Sequence, residues 1–272
     1  MIKQKNNMLA EFNGPIVSLQ HIQKTFNPHS VNEITIFQDF NLDIKKHQFI
    51  SVIGSNGSGK TTILNLLCGS LAVDNGKILV KGKSVNKKKE FQRAKFIGRV
   101  FQDPAKGTCP ELTILENMAM AEAKDKHFGL AFGVNRKRMD YYKSQLSLLK
   151  LGLEDKLHVQ VGSLSGGQRQ ALALLIATMT HIDLLVLDEH TAALDPKSAD
   201  NVMRLTDQFV KEKQLTALMV THNLKFAIDY GNRLIMMHKG GIVLDAAYEK
   251  KDALQVDDLL NQFNQISIET GN

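Results

Sequence analysis

The sequence predicts an α/β fold: a mostly parallel sheet covered by helices, a small antiparallel β layer beside it, and a helical segment inserted in the middle. Short apolar runs at residues 49–53, 96–101, 184–187, 217–220 and 234–237 show little polar alternation, as strands buried on both faces do. Helical periodicity separates several of these runs, and strand, helix, strand is the pattern of an α/β domain. The chain has 272 residues, 43% hydrophobic and 23% charged, which is enough for a substantial core and ordinary for a soluble globular protein.

Taken in order, residues 16–19 and 77–80 read as short strands of a separate antiparallel layer. The run at 49–53 is the first buried strand. A helix follows it, because Ile63, Leu64, Leu66, Leu67 and Leu71 recur with the 3.6-residue period. Residues 96–101 form the next strand. From about 103 to 176 strand candidates are few and helical periodicity dominates, over 118–123 and then 141–151, which marks the inserted helical subdomain. The strands at 184–187, 217–220 and 234–237 complete the sheet. Val202, Leu205, Phe209 and Val210 place an amphipathic helix between the first two of them.

The longest mostly apolar stretch, residues 171–179, is about half the ~20 residues that a membrane-spanning helix needs. The opening MIKQKNNMLAEF lacks the apolar segment of a secretory signal, so a cytosolic chain is expected. Cys68 and Cys109 are too few for a disulfide framework or a four-ligand zinc site, and are expected as reduced, non-catalytic thiols. The net charge of +6 suits phosphates, nucleic acid or an anionic membrane face without choosing among them. Its clusters, Lys81, Lys83 and Lys87 to Lys89, then Arg136 to Arg138, read first as solvated loops or helix faces.

The strongest motif follows the first buried strand. Gly54, Ser55, Asn56, Gly57, Ser58, Gly59, Lys60 and Thr61 fit G-x-x-x-x-G-K-[ST] and run through Thr62 into a helix. Glycines let a backbone wrap a phosphate with its N–H groups pointing inward, and the helix adds the positive end of its dipole. Lys60 would bridge the β- and γ-phosphates, and the Thr61 hydroxyl would ligate Mg²⁺.

The strand at 184–187 ends in two carboxylates, Asp188 and Glu189. Open α/β sheets bind ligands at the carboxyl ends of their strands, which puts Asp188 beside the phosphate loop. Asp188 would hold Mg²⁺ through water, and Glu189 would orient or deprotonate the water that attacks the γ-phosphate. By itself an apolar strand ending in Asp-Glu is a weak signal, so this inference leans on the phosphate loop. Leu164-Ser165-Gly166-Gly167-Gln168-Arg169 precedes a periodic apolar run. Ser165 as N-cap and Gln168 three residues later make a capping box, a purely structural role that leaves the N–H groups of the glycines open to an anion.

Joined in this order, these pieces resemble the ATP-binding cassette (ABC) ATPases over about residues 15–245, and the strings DEHTAALDP at 188–196 and FQDPAKGT at 101–108 resemble, within that family, the bacterial uptake-type branch with separate permease and solute-binding chains. The resemblance implies a P-loop NTPase core, ATP and Mg²⁺, and hydrolysis coupled to transport. Its domain plan is a single domain over 1–272: residues 15–102 and 177–245 form the catalytic core with the β layer, 103–176 the helical signature subdomain, and 246–272 a C-terminal tail. It implies a head-to-tail homodimer formed on ATP, in which Ser165, Gly166, Gly167 and Gln168 close over the partner's nucleotide. Phe26 corresponds to the aromatic that stacks on adenine, although a lone Phe is more often core. Gln102 corresponds to the glutamine that touches Mg²⁺ and the attacking water, Asp195 to the loop that meets the partner, and His222 to the histidine on the γ-phosphate. Asp195 with Pro196 is also a good N-cap and N1 pair. His190 stands where the family commonly has proline, and this is not expected to abolish hydrolysis. The implied setting is the cytoplasmic face of the membrane, bound to an integral permease, with a solute-binding protein as an indirect partner and no nucleic acid. Residues 103–120 correspond to the groove that receives a short permease helix.

Two other readings compete. A soluble ABC-type ATPase acting on DNA or ribosomes would suit the basic charge, but the chain has no long coiled coil between Gly59 and Ser165 and only one set of motifs. A P-loop kinase of another family would leave the signature and His222 unexplained.

Overall fold

The computed structural model describes residues 13–124 and 136–269. The strands are β1 (Val17–Phe26), β2 (Ile34–Ile44), β3 (Phe49–Gly54), β4 (Asn75–Val80), β5 (Lys83–Ser84), β6 (Ile97–Val100), β7 (Leu184–Asp188), β8 (Ala217–Val220), β9 (Arg233–His238) and β10 (Gly241–Ala247). The helices are α1 (Lys60–Cys68), α2 (Glu90–Arg93), α3 (Ile114–Ala123), α4 (Met139–Ser147), α5 (Gly166–Ala177), α6 (Pro196–Glu212), α7 (Leu224–Asp229), α8 (Glu249–Asp252) and α9 (Val256–Glu269).

The larger sheet has the order β10-β9-β3-β8-β7-β6, in which β9, β3, β8, β7 and β6 are parallel and β10 runs antiparallel to β9. The smaller sheet, β2-β1-β4-β5, is antiparallel. The apolar runs lack polar alternation because both faces of the larger sheet are covered. Along β7, Leu185 and Leu187 enter one core while Leu184 and Val186 enter the other, and β8 divides Ala217 and Met219 from Leu218 and Val220 in the same way.

The first core joins that sheet face to α3, α4, α5 and α6, through residues such as Met118, Tyr142, Leu172 and Phe209. The second lies between the sheet, α1 and the antiparallel layer. A third, smaller core gathers Ile53, Ala227, Leu234, Met236 and Leu259. Each fully buried Leu, Ile, Val, Met or Phe side chain in these cores contributes roughly 1.5–3 kcal/mol relative to exposure. Cys68 is buried, which pushes its thiol up to about 11, and Cys109 is half-buried; both are free.

Several features differ from the sequence-based expectation. Strand β2 goes unanticipated because a register shift between Phe37 and Phe40 breaks its period-2 pattern. Strand β6 ends at Val100, so Gln102 lies two residues beyond it. Beyond residue 245, β10 continues to Ala247, and α8 and α9 follow, with Leu259 of α9 fully buried. Among the described residues no helix is long and apolar enough to cross a membrane.

Five parallel strands place their carboxyl ends along one edge of the sheet. Gly54 of β3, Asp188 of β7 and the residues after β6 and β8 therefore meet there, at the edge where open α/β sheets bind ligands.

Candidate active site

The phosphate loop leaves β3 at Gly54, whose φ of +151° puts a side chain out of reach, since a Cβ there would lie 2.2 Å from the Met237 carbonyl oxygen. Gly59, at φ +102°, passes the Phe37 ring so closely that a Cβ would lie 2.6 Å from it. The Gly59 carbonyl accepts the Ile63 amide at 2.9 Å, and α1 begins. Asn56 and Gly57 are exposed at the tip, and Ser55 lies 3.3 Å from His238 Nδ1 through its hydroxyl. The Ser58 hydroxyl is buried and lacks a hydrogen-bond partner, which fits a loop whose polar groups complete their bonding on an anion.

Lys60 Nζ donates to the carbonyls of Gly54 at 2.7 Å and Ser55 at 2.9 Å, folding back over the loop. Desolvation holds its pKa below the usual lysine value, opposed by the nearby Glu189 charge. Thr61 is exposed and Thr62 half-buried at the helix start.

A cavity of about 760 Å³ lies beside this loop and is lined by Phe26, Thr61, Gln102, Asp188 and Glu189, among others. Hydroxyl, amide and carboxylate oxygens are the hard donors that Mg²⁺ takes, so the donor set fits that ion. Phe26, at the end of β1, is half-buried, with Lys24 Nζ 5.6 Å from its ring centroid. Asp188 ends β7 and accepts a hydrogen bond from Arg99 at 2.7 Å. Glu189 takes the left-handed conformation, φ +46°, while its amide donates to the Val220 carbonyl at 3.0 Å. Its Oε1 lies 2.9 Å from His222 Nε2, an ion pair when the imidazole is protonated. Thr221 accepts the Asn223 amide through Oγ1 at 3.0 Å, and Asn223 caps α7, so the residues flanking His222 are fixed. A second crevice joins Gly54, Ser55, Asn56 and His222 to Phe263 of α9.

The signature segment stands apart from the cavity. The Ser165 hydroxyl accepts the Gln168 amide, and Gln168 Oε1 accepts the Ser165 amide, both at 3.3 Å, completing the capping box. Ser165 and Gly166 are exposed, and Gly167 passes close to Ser198 of α6. Asp195 is exposed, caps α6 by accepting the Ser198 amide at 3.1 Å, and is followed by Pro196 at N1. Those hydrogen bonds hold its carboxyl below the usual range.

The structure thus gathers Phe26, Thr61, Gln102, Asp188 and Glu189 around one cavity, with Lys60 and His222 adjoining. Ser165 to Gln168 and Asp195 lie outside it. The sequence reading missed Arg99 and Gln170. The signal for Arg99 was a charge inside an apolar strand, which needs a partner. Gln170 is fully buried on α5 and donates to the Phe101 carbonyl at 3.0 Å, tying the signature helix to the residue before Gln102.

The ABC transporter family model matches residues 37–192. The chain is 42% identical over 249 residues to a tyrosine transport ATP-binding protein of Clostridioides difficile, covering 91% of this chain and 98% of that one. It is 31% identical to the phosphonates import ATP-binding protein PhnC of Lactococcus lactis, covering 85% and 92% respectively. Among solved structures, the ADP conformation of the ABC cassette MJ1267 aligns with TM-score 0.76 at 25% identity, over 95% of this chain and 99% of that one. The dimeric post-hydrolysis state of MJ0796, bound to ADP and phosphate, aligns with TM-score 0.72 at 27% identity, over 85% and 98%. With its fold and motifs in agreement, the chain belongs to the ABC transporter family, as an ATP-binding subunit that hydrolyses ATP to energise transport.

Proposed function

We propose that two copies of this chain sandwich two ATP molecules head to tail, and that hydrolysis drives solute uptake through a separate membrane permease. The observation that carries this is the single cavity on which Phe26, Thr61, Gln102, Asp188 and Glu189 converge beside the Lys60 loop. The signature residues, with Ser165 and Gly166 exposed, Gly167 and Gln168 half-buried and all four outside that cavity, are then available to complete a partner's site.

In this reading Phe26 stacks on adenine, residues 54–62 cradle the phosphates, and Lys60 exchanges its two carbonyl partners for phosphate oxygens. Thr61, Gln102 and Asp188 would hold Mg²⁺, which supplies charge neutralisation at the β- and γ-phosphates. Glu189 accepts a proton from the attacking water as the new oxygen–phosphorus bond forms and the β–γ bridge breaks, releasing ADP and phosphate. His222 steadies the γ-phosphate and, before nucleotide arrives, occupies Glu189.

The chain would sit at the cytoplasmic face of the membrane, with residues 103–120 receiving the permease and a solute-binding protein as a further, indirect partner. The name of the 42% identical relative directs the solute search first to tyrosine and similar small molecules.

Two substitutions test the chemistry. Lys60→Ala should weaken ATP binding by an order of magnitude or more, roughly the 1.5–3 kcal/mol of a charge-assisted hydrogen bond. Glu189→Gln should bind ATP normally, accumulate as a dimer on gel filtration and hydrolyse near background. Wild-type turnover in Glu189→Gln removes the carboxylate from the mechanism, and unchanged ATP affinity in Lys60→Ala removes the loop.

A further inference from the structure

Asp188 is one of the residues placed at the cation in the preceding reading, yet in this chain it already has a positive partner. Arg99 donates from Nη2 to Asp188 Oδ2 at 2.7 Å, with only 12% and 15% of the two side chains exposed. The pairing follows from the sheet. β6 and β7 are parallel, with Arg99 opposite Val186 and Val100 opposite Leu187, so Arg99 reaches forward to the end of β7. Its guanidinium carbon lies 4.5 Å from the Phe101 ring centroid, and stacking on that face holds it in place. Arg99 Nε is buried without a partner, so the head group is spent on one carboxylate oxygen rather than on a bidentate clasp. Among the described residues Arg99 is the only side chain that donates to Asp188, which leaves Oδ1 available.

We propose that Arg99 is a built-in counter-ion of the nucleotide site: it keeps Asp188 neutralised and aimed when no metal is present, and so reduces the dependence of nucleotide binding on Mg²⁺. The proposal rests on the cavity's being the nucleotide site. A polyphosphate entering without a metal meets Lys60, Asp188 and Glu189. Arg99 makes that set neutral, whereas its loss leaves one negative charge in excess, facing the phosphates. Glu90, Asp103 and Lys106 line the same cavity and add the background against which this charge acts. Arg99 touches neither phosphate nor water in this scheme; it is a positioning residue that works through Asp188.

The test is a pair of affinities for a fluorescent ADP analogue, one in excess Mg²⁺ and one in EDTA, on the full chain. The wild type defines the ratio between them. Arg99→Gln should raise that ratio about tenfold, chiefly by weakening binding in EDTA, as one uncompensated charge at this range would. Arg99→Lys, which restores the charge, should return the ratio to near the wild-type value. An unchanged ratio in folded Arg99→Gln overturns the proposal while leaving the nucleotide site intact. Failure of the wild type to bind in either buffer overturns both. If Arg99→Gln does not fold, the double variant Arg99→Gln/Asp188→Asn is used, which has no lone buried carboxylate and, like the wild type, a pair of zero net charge. It should bind in EDTA with wild-type affinity, and binding about tenfold tighter than the wild type, which would mean that Arg99 had not offset Asp188, overturns the proposal.

Discussion

His190 follows Glu189, is only 2% exposed, and has a pKa pushed down by burial to about 4, so it is neutral at pH 7. Its Nε2 lies 3.1 Å from the Thr206 hydroxyl, which spends its own proton on the Val202 carbonyl at 2.8 Å. The imidazole must therefore be the donor, with its proton on Nε2. This matters for Glu189, whose φ of +46° lies in a region that few residues other than glycine adopt. Proline, common here in the family, steers the residue before it towards extended backbone. His190→Pro should accordingly move Glu189 away from His222 and remove the bond to Thr206. We expect a loss of about 1–3 kcal/mol in urea unfolding, from lost backbone fit and one hydrogen bond, together with reduced turnover. An unchanged unfolding midpoint would mean that this backbone accepts either residue.

At the scale of elements, α9 shows how a segment remote in sequence supports the site. Leu259 is fully buried against Ile53, Ala227, Leu234 and Met236, and Phe263 reaches the crevice between the phosphate loop and His222. Leu259→Ala should cost about 2–5 kcal/mol, the range for a large-to-small change in a packed core. A loss below about 1 kcal/mol on urea unfolding would place α9 outside the cooperative core, since that is the size of a surface effect. The sequence could show that residues beyond 245 exist, but not that they dock, because Leu259 finds its partners only once β3, β9 and α7 are in place. The same distinction runs through the rest of the fold. The phosphate loop, the capping box at Ser165 and the Asp195 cap were legible because each is settled by neighbours within a few residues. Asp188 and Glu189 were legible as a strand end, but their partners come from elsewhere, Arg99 from β6 and His222 from just beyond β8, and parallel register rather than local sequence decides that they meet. The β2 strand was illegible for a third reason: its bulge shifts the alternation on which period-2 reading depends.

At the scale of the whole molecule, the proposed head-to-tail assembly would have one chain present half of each of two anion sites. The cavity beside Lys60 is lined without Ser165, Gly166, Gly167 or Gln168, and the signature helix starts at an exposed cap with no phosphate loop of its own chain lining it. Gln170 sits on the signature helix and donates to the Phe101 carbonyl at 3.0 Å, which ties α5 to the segment carrying Gln102. A head-to-tail pair of chains brings each loop opposite the other's signature, and the solved dimer of a related cassette, with ADP and phosphate bound, makes such a pair the natural assembly to test. The test uses two lesions and counts intact sites. Lys60→Ala damages the loop half, and Ser165→Arg puts a bulky cation at the signature half without touching the chain's own cavity. With the lesions on different protomers, both fall in one composite site and the other site keeps both halves. With both lesions on one protomer, each site loses one half. Heterodimers isolated with two different affinity tags should therefore retain up to half of the wild-type ATPase rate in the first arrangement and fall to background in the second. The reverse order, background with the lesions apart and up to half the rate with both on one protomer, would mean that each chain hydrolyses ATP with its own signature; that result, or equal rates in the two arrangements, would mean that the head-to-tail assembly has to be abandoned.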